Sequence, residues 1–309
     1  SGKIRITDFS LLFMKYQGIY FMKKTLIALA VAASAVVSGS AMAALGGWTE
    51  DQPGGNIDFG GTITRPAGEV KWLWAVGEGF DSYQNLTSDL VDGGKRLNVA
   101  VQQDMPLLAA KMKEAVIKPI LGIGAIPKVT FSSFDSTPIA VNFIDESHAT
   151  MEVKVKNKDK GDLIGNITIP FEYGASGTVK DLYDSDAGKV NASSFWTGGT
   201  GTMFEGLVKP DVKAESSQAL KWNGVTVDDI YAAMKAVGGD KISGPGGIAS
   251  SWVNMSDLSH DNYIRDNYAR YFTYGAGIPS GNNLSVVFDN PVTQTTEWLA
   301  PITVTVIYS

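Results

Sequence analysis

Apolar residues recur at every second position in segment after segment of this chain. A chain patterned that way buries itself as strands with one face turned inward. Leu97, Val99 and Val101 alternate in this way, as do Val129 and Phe131. Ile139, Val141 and Phe143 alternate just after Pro138 and predict a further strand. Met151, Val153 and Val155 alternate with Glu152, Lys154 and Lys156, which predicts a strand with one wet face. Ile167, Ile169, Phe171 and Tyr173 follow, with Pro170 among them suggesting an edge or a bulge. Leu284, Val286 and Phe288 form a late segment, and Ile302, Val304, Val306 and Tyr308 form the last one, set against Thr303 and Thr305.

Composition sharpens this reading. The chain has 309 residues, enough for one large β domain or two smaller ones, and 34 glycines, which suit turns and strand bends better than long helices. It has no cysteine, so an exported form would rest on burial and strand pairing without disulfides, and thiolate chemistry is excluded. Net charge is −6. Residues 1–43 hold Lys3, Arg5, Lys15, Lys23 and Lys24 against Asp8, so the remainder is more acidic than the whole. An acidic surface argues against nucleic acid as a partner.

Met22-Lys23-Lys24, the apolar run Thr25 to Val37, the break at Ser38-Gly39-Ser40 and the small residues Ala41 and Ala43 make the three-part pattern of a secretory signal. The run is too short to span a bilayer. Residues 22–43 therefore read as a signal peptide, residues 1–21 as upstream or added sequence, and Ala44 as the mature N-terminus.

From about 175 to 270 the strand pattern weakens, and the segment reads as a mixed α/β subdomain inserted into a β-sandwich. One helix is predicted there, capped by Thr226, with Asp228 and Asp229 in its first turn, Val227, Ile230, Met234 and Val237 on one face and Gly238 at its end. A second would start at Ser256 or Ser259 and run toward Tyr268.

No catalytic or metal constellation emerges. Asp145-Glu146-Ser147-His148 reads as a polar turn. Ser259-His260-Asp261 has the letters of a triad, but sequence neighbours do not aim at one another as a triad does. Gly198-Gly199-Thr200-Gly201 lacks the Lys and strand–helix context of a phosphate loop. Asp184, Asp186, Asp228 and Asp229 lack the spacing of a calcium loop. No cofactor is called for. Sugar sites pair an aromatic face with planar hydrogen-bonding groups. Among the insert's aromatics, Phe195 and Trp196, set amid Ser, Thr and Gly, are the candidates for an exposed platform.

The two ends carry the strongest functional signal. Trp48 to Gly55 is polar and Gly-rich and leads into Ile57-Asp58-Phe59-Gly60-Gly61-Thr62-Ile63. Ile57, Phe59, Gly61 and Ile63 share one face, with a minimal residue where backbone could approach a shallow pocket. Such a strand could fill a groove in another subunit, and an ordinary first strand reads the same way. At the other end, the alternating segment carries a penultimate aromatic, Tyr308.

Several segments together resemble the FaeG-like major subunits of the Fae-type fimbriae of enteric bacteria, which assemble by the chaperone–usher pathway. They are the leader from Met22, the stretch Ile57–Ile63, Lys71-Trp72-Leu73-Trp74 followed by Gly77, Met203-Phe204-Glu205-Gly206, and Trp298-Leu299-Ala300-Pro301 through Tyr308. The anchors span nearly the whole mature chain in the family's order.

The resemblance implies a mainly β fold: an incomplete immunoglobulin-like sandwich over residues 65–309, completed by donor-strand exchange with residues 44–64 of a neighbour. It implies a C-terminal strand (Ile302, Val304, Val306, Tyr308) recognised by a periplasmic chaperone, passage to an outer-membrane usher, and a place in a fimbrium at the cell surface. It also implies a non-enzymatic, polymerising subunit that binds a host glycoconjugate through its insert. A purely structural fibre or capsule-like subunit would share both ends.

Overall fold

A computed structural model describes residues 71–309. The signal segment and the predicted strand carrying Ile57, Phe59, Gly61 and Ile63 lie outside the described residues. The chain is a mainly β sandwich. Its strands are β1 (Trp72–Val76), β2 (Arg96–Ala100), β3 (Met105–Met112), β4 (Pro127–Ser133), β5 (Pro138–Ile139), β6 (Val141–Phe143), β7 (His148–Asn157), β8 (Leu163–Asp181), β9 (Gly188–Thr197) and β10 (Lys213–Ala214). Helices α1 (Ser216–Asn223) and α2 (Val227–Gly238) precede β11 (Ile242–Met255), and the short α3 (Asp261–Ile264) precedes β12 (Tyr268–Ile278). β13 (Asn283–Phe288), β14 (Trp298–Leu299) and β15 (Ile302–Tyr308) complete the described order.

β8 is the spine of the larger sheet. One of its edges carries β13 and then β12, and the other carries β7 and then β9. β3 and β1 extend the sheet beyond β12, and β2 extends it beyond β13. The alternation read from sequence holds along these strands. Met151, Val153 and Val155 are 1%, 0% and 0% exposed, and Leu284, Val286 and Phe288 0%, 0% and 5%. Each such side chain contributes roughly 1.5–3 kcal/mol by burial.

β8 is not an edge strand, contrary to one reading of Pro170. The proline sits where β13, which reaches Thr168, has stopped and β12, which begins pairing at Glu172, has not started. Its missing N–H therefore falls in a gap between neighbours.

The segment Ile139–Phe143 is not one strand. β5 pairs with β4 in a second, three-stranded sheet ordered β15-β4-β5, whereas β6 pairs with β7 in the large sheet. The chain crosses between layers at Ala140, so consecutive alternating residues serve both sheets. Inner side chains of the two sheets merge in one apolar core that includes Trp72, Trp74, Val129, Val304 and Val306.

Residues 182–267 leave β8 and return into β12, where Tyr268 faces Asp181. This excursion adds β9, β10 and β11 to the sheet and contributes all three α-helices of the described residues. β11 runs parallel to β9, with register shifts at several places.

α2 forms as the sequence predicts. Thr226 Oγ1 accepts from the Asp229 N–H at 3.1 Å, and the Asp229 carboxylate accepts from the Thr226 N–H at 2.8 Å. Ile230 and Met234 are 1% and 0% exposed. The helix expected toward Tyr268 shrinks to the single turn of α3, capped by the His260 imidazole, which accepts from the Asn262 N–H at 3.2 Å.

α1 was not foreseen, and glycines explain how it fits. It lies on β8 and β12 where Gly174 faces Gly275 across the ladder. A Cβ on Gly174 would stand 2.2 Å from the Glu215 carbonyl, and one on Gly275 would stand 2.4 Å from that of Ala219. Only bare backbone lets the helix come so close.

Arg270 ties the return of the excursion to the scaffold. Its side chain is fully buried, and its guanidinium donates to backbone carbonyls: Asn262 at 2.5 Å, Tyr268 at 2.6 Å, Arg265 at 2.6 Å, Ile117 at 3.1 Å and Lys118 at 3.2 Å. Burial lowers its pKa to about 10, against the pull of Tyr268 and Asp266. It therefore stays charged at neutral pH and is solvated by main chain in place of water.

Candidate assembly edge and ligand surfaces

β15 presents two kinds of edge. One pairs residue by residue with β4, from Ile302 against Ser133 to Tyr308 against Pro127. Among the described residues no strand pairs with the other. Ile302, Val304 and Val306 face inward at 2%, 4% and 0% exposure, while Ile307 is 52% exposed. β1 is likewise paired on one side, by β3. The two strands meet at one end. Trp74 Nε1 donates to Tyr308 Oη at 2.7 Å, and Trp72 Nε1 donates to the Ala125 carbonyl at 2.9 Å.

The other edge of β4 is closed. β5 covers Phe131 and Ser132. Where β5 stops, Met203-Phe204-Glu205-Gly206 takes over: the Glu205 carbonyl accepts from the Val129 N–H at 2.9 Å, and the Glu205 carboxylate pairs with Lys128 at 2.7 Å. Gly206 has φ 87°, and a Cβ there would fall 2.1 Å from the Val129 carbonyl, so the motif needs glycine at that position. Phe204 is wholly buried and packs on Trp72, Phe195 and Tyr274 at centroid distances of 5.2, 5.3 and 5.8 Å. Burial raises the Glu205 pKa, but Lys128 and the Gly201 N–H outweigh it and hold the carboxyl below its ordinary range. The Gly198–Gly201 loop thus spends an amide on an internal carboxylate, with Gly201 N–H donating to Glu205 at 2.6 Å.

Of the two residues proposed for an aromatic platform, Phe195 is corrected. It is 0% exposed, wedged between Phe204 and Phe272. Its polar sequence neighbours concealed apolar partners that arrive from distant segments. Trp196 is half-buried, and its ring lies 6.3 Å from that of Trp252, tilted by 38°. Trp252 is 56% exposed and was not singled out by sequence. Its signal was an aromatic in the polar run Ser250-Ser251-Trp252. Lys213 sits beside Trp196 across the β9–β10 ladder, with Glu215 at 2.9 Å from its ammonium.

Asp145 to His148 form the turn between β6 and β7. The Asp145 carboxylate accepts from the N–H groups of Ser147 at 2.9 Å and His148 at 2.8 Å, and from His148 Nδ1 at 2.9 Å. Glu172 lies 4.0 Å from the far nitrogen of that ring and pairs with Lys221 at 2.8 Å. These contacts hold the turn and the end of α1. Asp186 accepts from the Gly188 N–H at 2.8 Å, capping the turn into β9. Among the described residues no group of three or more His, Asp or Glu could hold a metal ion.

Comparison with known proteins agrees with this architecture. The family model for fimbrial major and minor subunits of the K88 type matches residues 22–309. The chain is 41% identical over 289 residues to the F41 fimbrial protein of Escherichia coli, a match that covers 93% of this chain and all of the relative. It is 28% identical to K88 fimbrial protein AB of Escherichia coli over 299 residues, again 93% of this chain and 100% of the relative. The chain therefore belongs to the K88-type family of fimbrial major and minor subunits.

Proposed function

We propose that this subunit polymerises by donating the strand Ile57–Ile63 of one copy to the open edge of β15 in the next. As a fimbrial subunit it has its place in a fimbrium at the cell surface. The observation that carries the mechanism is the asymmetry of β15: one edge laddered to β4, the other without a strand partner among the described residues, over an inward row of Ile302, Val304 and Val306. A strand added there satisfies main-chain groups and covers apolar surface together. A periplasmic chaperone would hold the same edge until an outer-membrane usher hands it on, and the cost of opening a filled groove would keep the fibre kinetically stable.

The test separates folding from assembly. Phe59→Asp or Gly61→Trp should abolish polymer while leaving a folded, chaperone-bound subunit in the periplasm. Removing Tyr308 and Ser309 should deplete the subunit itself. Loss of the chaperone-bound monomer in Phe59→Asp would place that strand in its own subunit's core and sink the proposal.

A second reading, host-glycan adhesion through the insert, is favoured by the half-open Trp196–Trp252 pair beside Lys213 and Glu215. Trp196→Ala should weaken binding to host cells with fibre yield unchanged. Unaffected adhesion at normal fibre yield would remove Trp196 from the site, and wild-type fibres that do not hold to host cells would point to the purely structural role.

A further inference from the structure

A cleft of about 640 Å3 opens between the segment joining β1 to β2 and the segment joining β13 to β14. It lies at one end of β15. Leu299 and Ala300 line it and lead straight into Ile302, the first residue of that strand. Phe80 also lines it and follows β1, whose Trp74 is bonded to Tyr308 at the far end of β15. The cleft therefore continues the unpaired side of β15 past Ile302. Its floor is apolar, made by Leu97, Ile167 and Phe288, all 5% exposed or less. Two aromatic rings, Tyr83 and Trp298, stand over it, their planes parallel to within 2° and their centroids 6.4 Å apart. The Tyr83 hydroxyl is directed at the Met105 sulfur, 3.6 Å away, so the ring's body is left for the cleft. Asp81 and Glu297 on the rim face a single base, Lys158, which holds Glu297 loosely at 3.7 Å.

We infer that this cleft receives residues Thr64–Val70 of the neighbouring subunit, with Pro66 laid on Tyr83 and Trp298 and Arg65 turned to Asp81 and Glu297. The inference rests on the donor-strand reading and extends it from the strand to the segment that joins the strand to the donor's own body. β15 already pairs antiparallel with β4, and antiparallel pairing is the more stable per residue. A strand added antiparallel on the other side sets Ile63 beside Ile302, at the mouth of the cleft. The next seven residues, Thr64 to Val70, span at most about 25 Å before the donor's Lys71. They must therefore pass the residues that flank Ile302. Pro66 biases Arg65 toward extended backbone, so the segment leaves the strand without doubling back. A proline ring on paired aromatic rings buries apolar area with little freedom to lose, the means by which aromatic grooves take proline-containing chain. The arginine answers the acidic excess of the rim. The exposed amides of Gln84, Asn85 and Gln294 offer donors and acceptors to the main chain of the segment.

The chain has no cysteine, so an introduced pair reports a single contact. Fimbriae assembled from the full chain carrying Arg65→Cys and Glu297→Cys, then oxidised, should link each subunit to the next and give a ladder of covalent multimers on a non-reducing denaturing gel. Arg65→Cys with Ser251→Cys, an exposed position in the excursion, should run as single subunits. Thiols lost without a ladder would place the segment over its own subunit's cleft. Fibres of normal yield with both thiols free would take it out of the cleft, and ladders of equal strength from both pairs would mean a contact without preference. Each of these three results overturns the inference. None of them bears on the donor strand, which Phe59→Asp tests by the presence of polymer. A second measurement reads the charges. Arg65→Glu should speed dissociation of the fibre in warm detergent severalfold, and adding Glu297→Lys to it should restore most of the loss. A wild-type rate in Arg65→Glu would overturn recognition of the arginine by this rim.

Discussion

The strands around β8 and the excursion from 182 to 267 solve the same problem, burying apolar surface, by different means. Along β7, β13 and the first half of β8, as far as Phe171, every second side chain faces one core, and the intervening residues are partly or fully exposed. In the excursion, β9 holds Ser194 against α1 and Phe195 against Phe204 and Phe272, so adjacent residues are both buried, on opposite faces. β11 slips register repeatedly and leaves Ile248 and Trp252 each 56% exposed. The scaffold is specified by period two. The excursion is specified by particular contacts between segments far apart in the chain.

The sharpest way to break that contrast is at their joint. Arg270→Met removes the donor shared by carbonyls on both sides, and unpaired buried carbonyls cost about 1–3 kcal/mol each. Urea unfolding should show a loss of about 3 kcal/mol or more. A loss under about 1 kcal/mol would mean that the excursion stands without it.

Next in size is Gly275→Val, which forces α1 off the sheet. Overpacking of this kind costs about 1–3 kcal/mol, readable as a lowered urea midpoint. The equivalent change at an exposed loop glycine that nothing approaches, Gly281, reports only backbone strain.

Thr226→Ala should cost about 1 kcal/mol through loss of the cap on α2. The same box carries a pH signature. The Thr226 N–H and hydroxyl hold the Asp229 carboxyl below its ordinary pKa. A depressed folded-state pKa gives stability that is present above the unfolded value, about 3.9, and lost as pH falls through the folded one. Thermal unfolding measured from neutral to acid pH should lose this contribution in that window, and Asp229→Asn should flatten that part of the profile. The smallest effect belongs to Trp252→Ala, within about 0.5 kcal/mol of wild type, because the ring is more than half exposed.

Much of the scaffold is legible in sequence because a strand between core and solvent must alternate. Leu97, Val99, Ile167, Ile169, Val304 and Val306 all face inward as their spacing predicts. The failures have physical causes. Ile139 and Phe143 share a rhythm yet belong to different sheets, since alternation does not record which partner a strand finds. α1 escaped because its first residue follows an uncapped Glu215 and, apart from Trp222, it buries small or polar residues, Ser216, Ala219 and Asn223. Its one legible mark was Gly224 at the C-terminal cap, after Trp222. Phe195 misled because solvent exposure is decided by segments far away in the chain. Tyr83 and Trp298 carry no spacing signal at all; only the fold sets them in parallel.

The closure of β4 by Glu205 bears on what kind of polymer this molecule can make. A three-stranded sheet with two open edges would be a monomer with two acceptors, and together with a donor segment it could branch. With β5 and Glu205 occupying one side of β4, the small sheet would offer, on the donor-strand proposal and among the described residues, a single acceptor edge at β15. One acceptor and one donor would make a bifunctional monomer, and growth from such units would give unbranched chains with distinguishable ends. On that view the bond from the Val129 N–H to the Glu205 carbonyl, small as a source of stability, would set the connectivity of the assembly: thread in place of network.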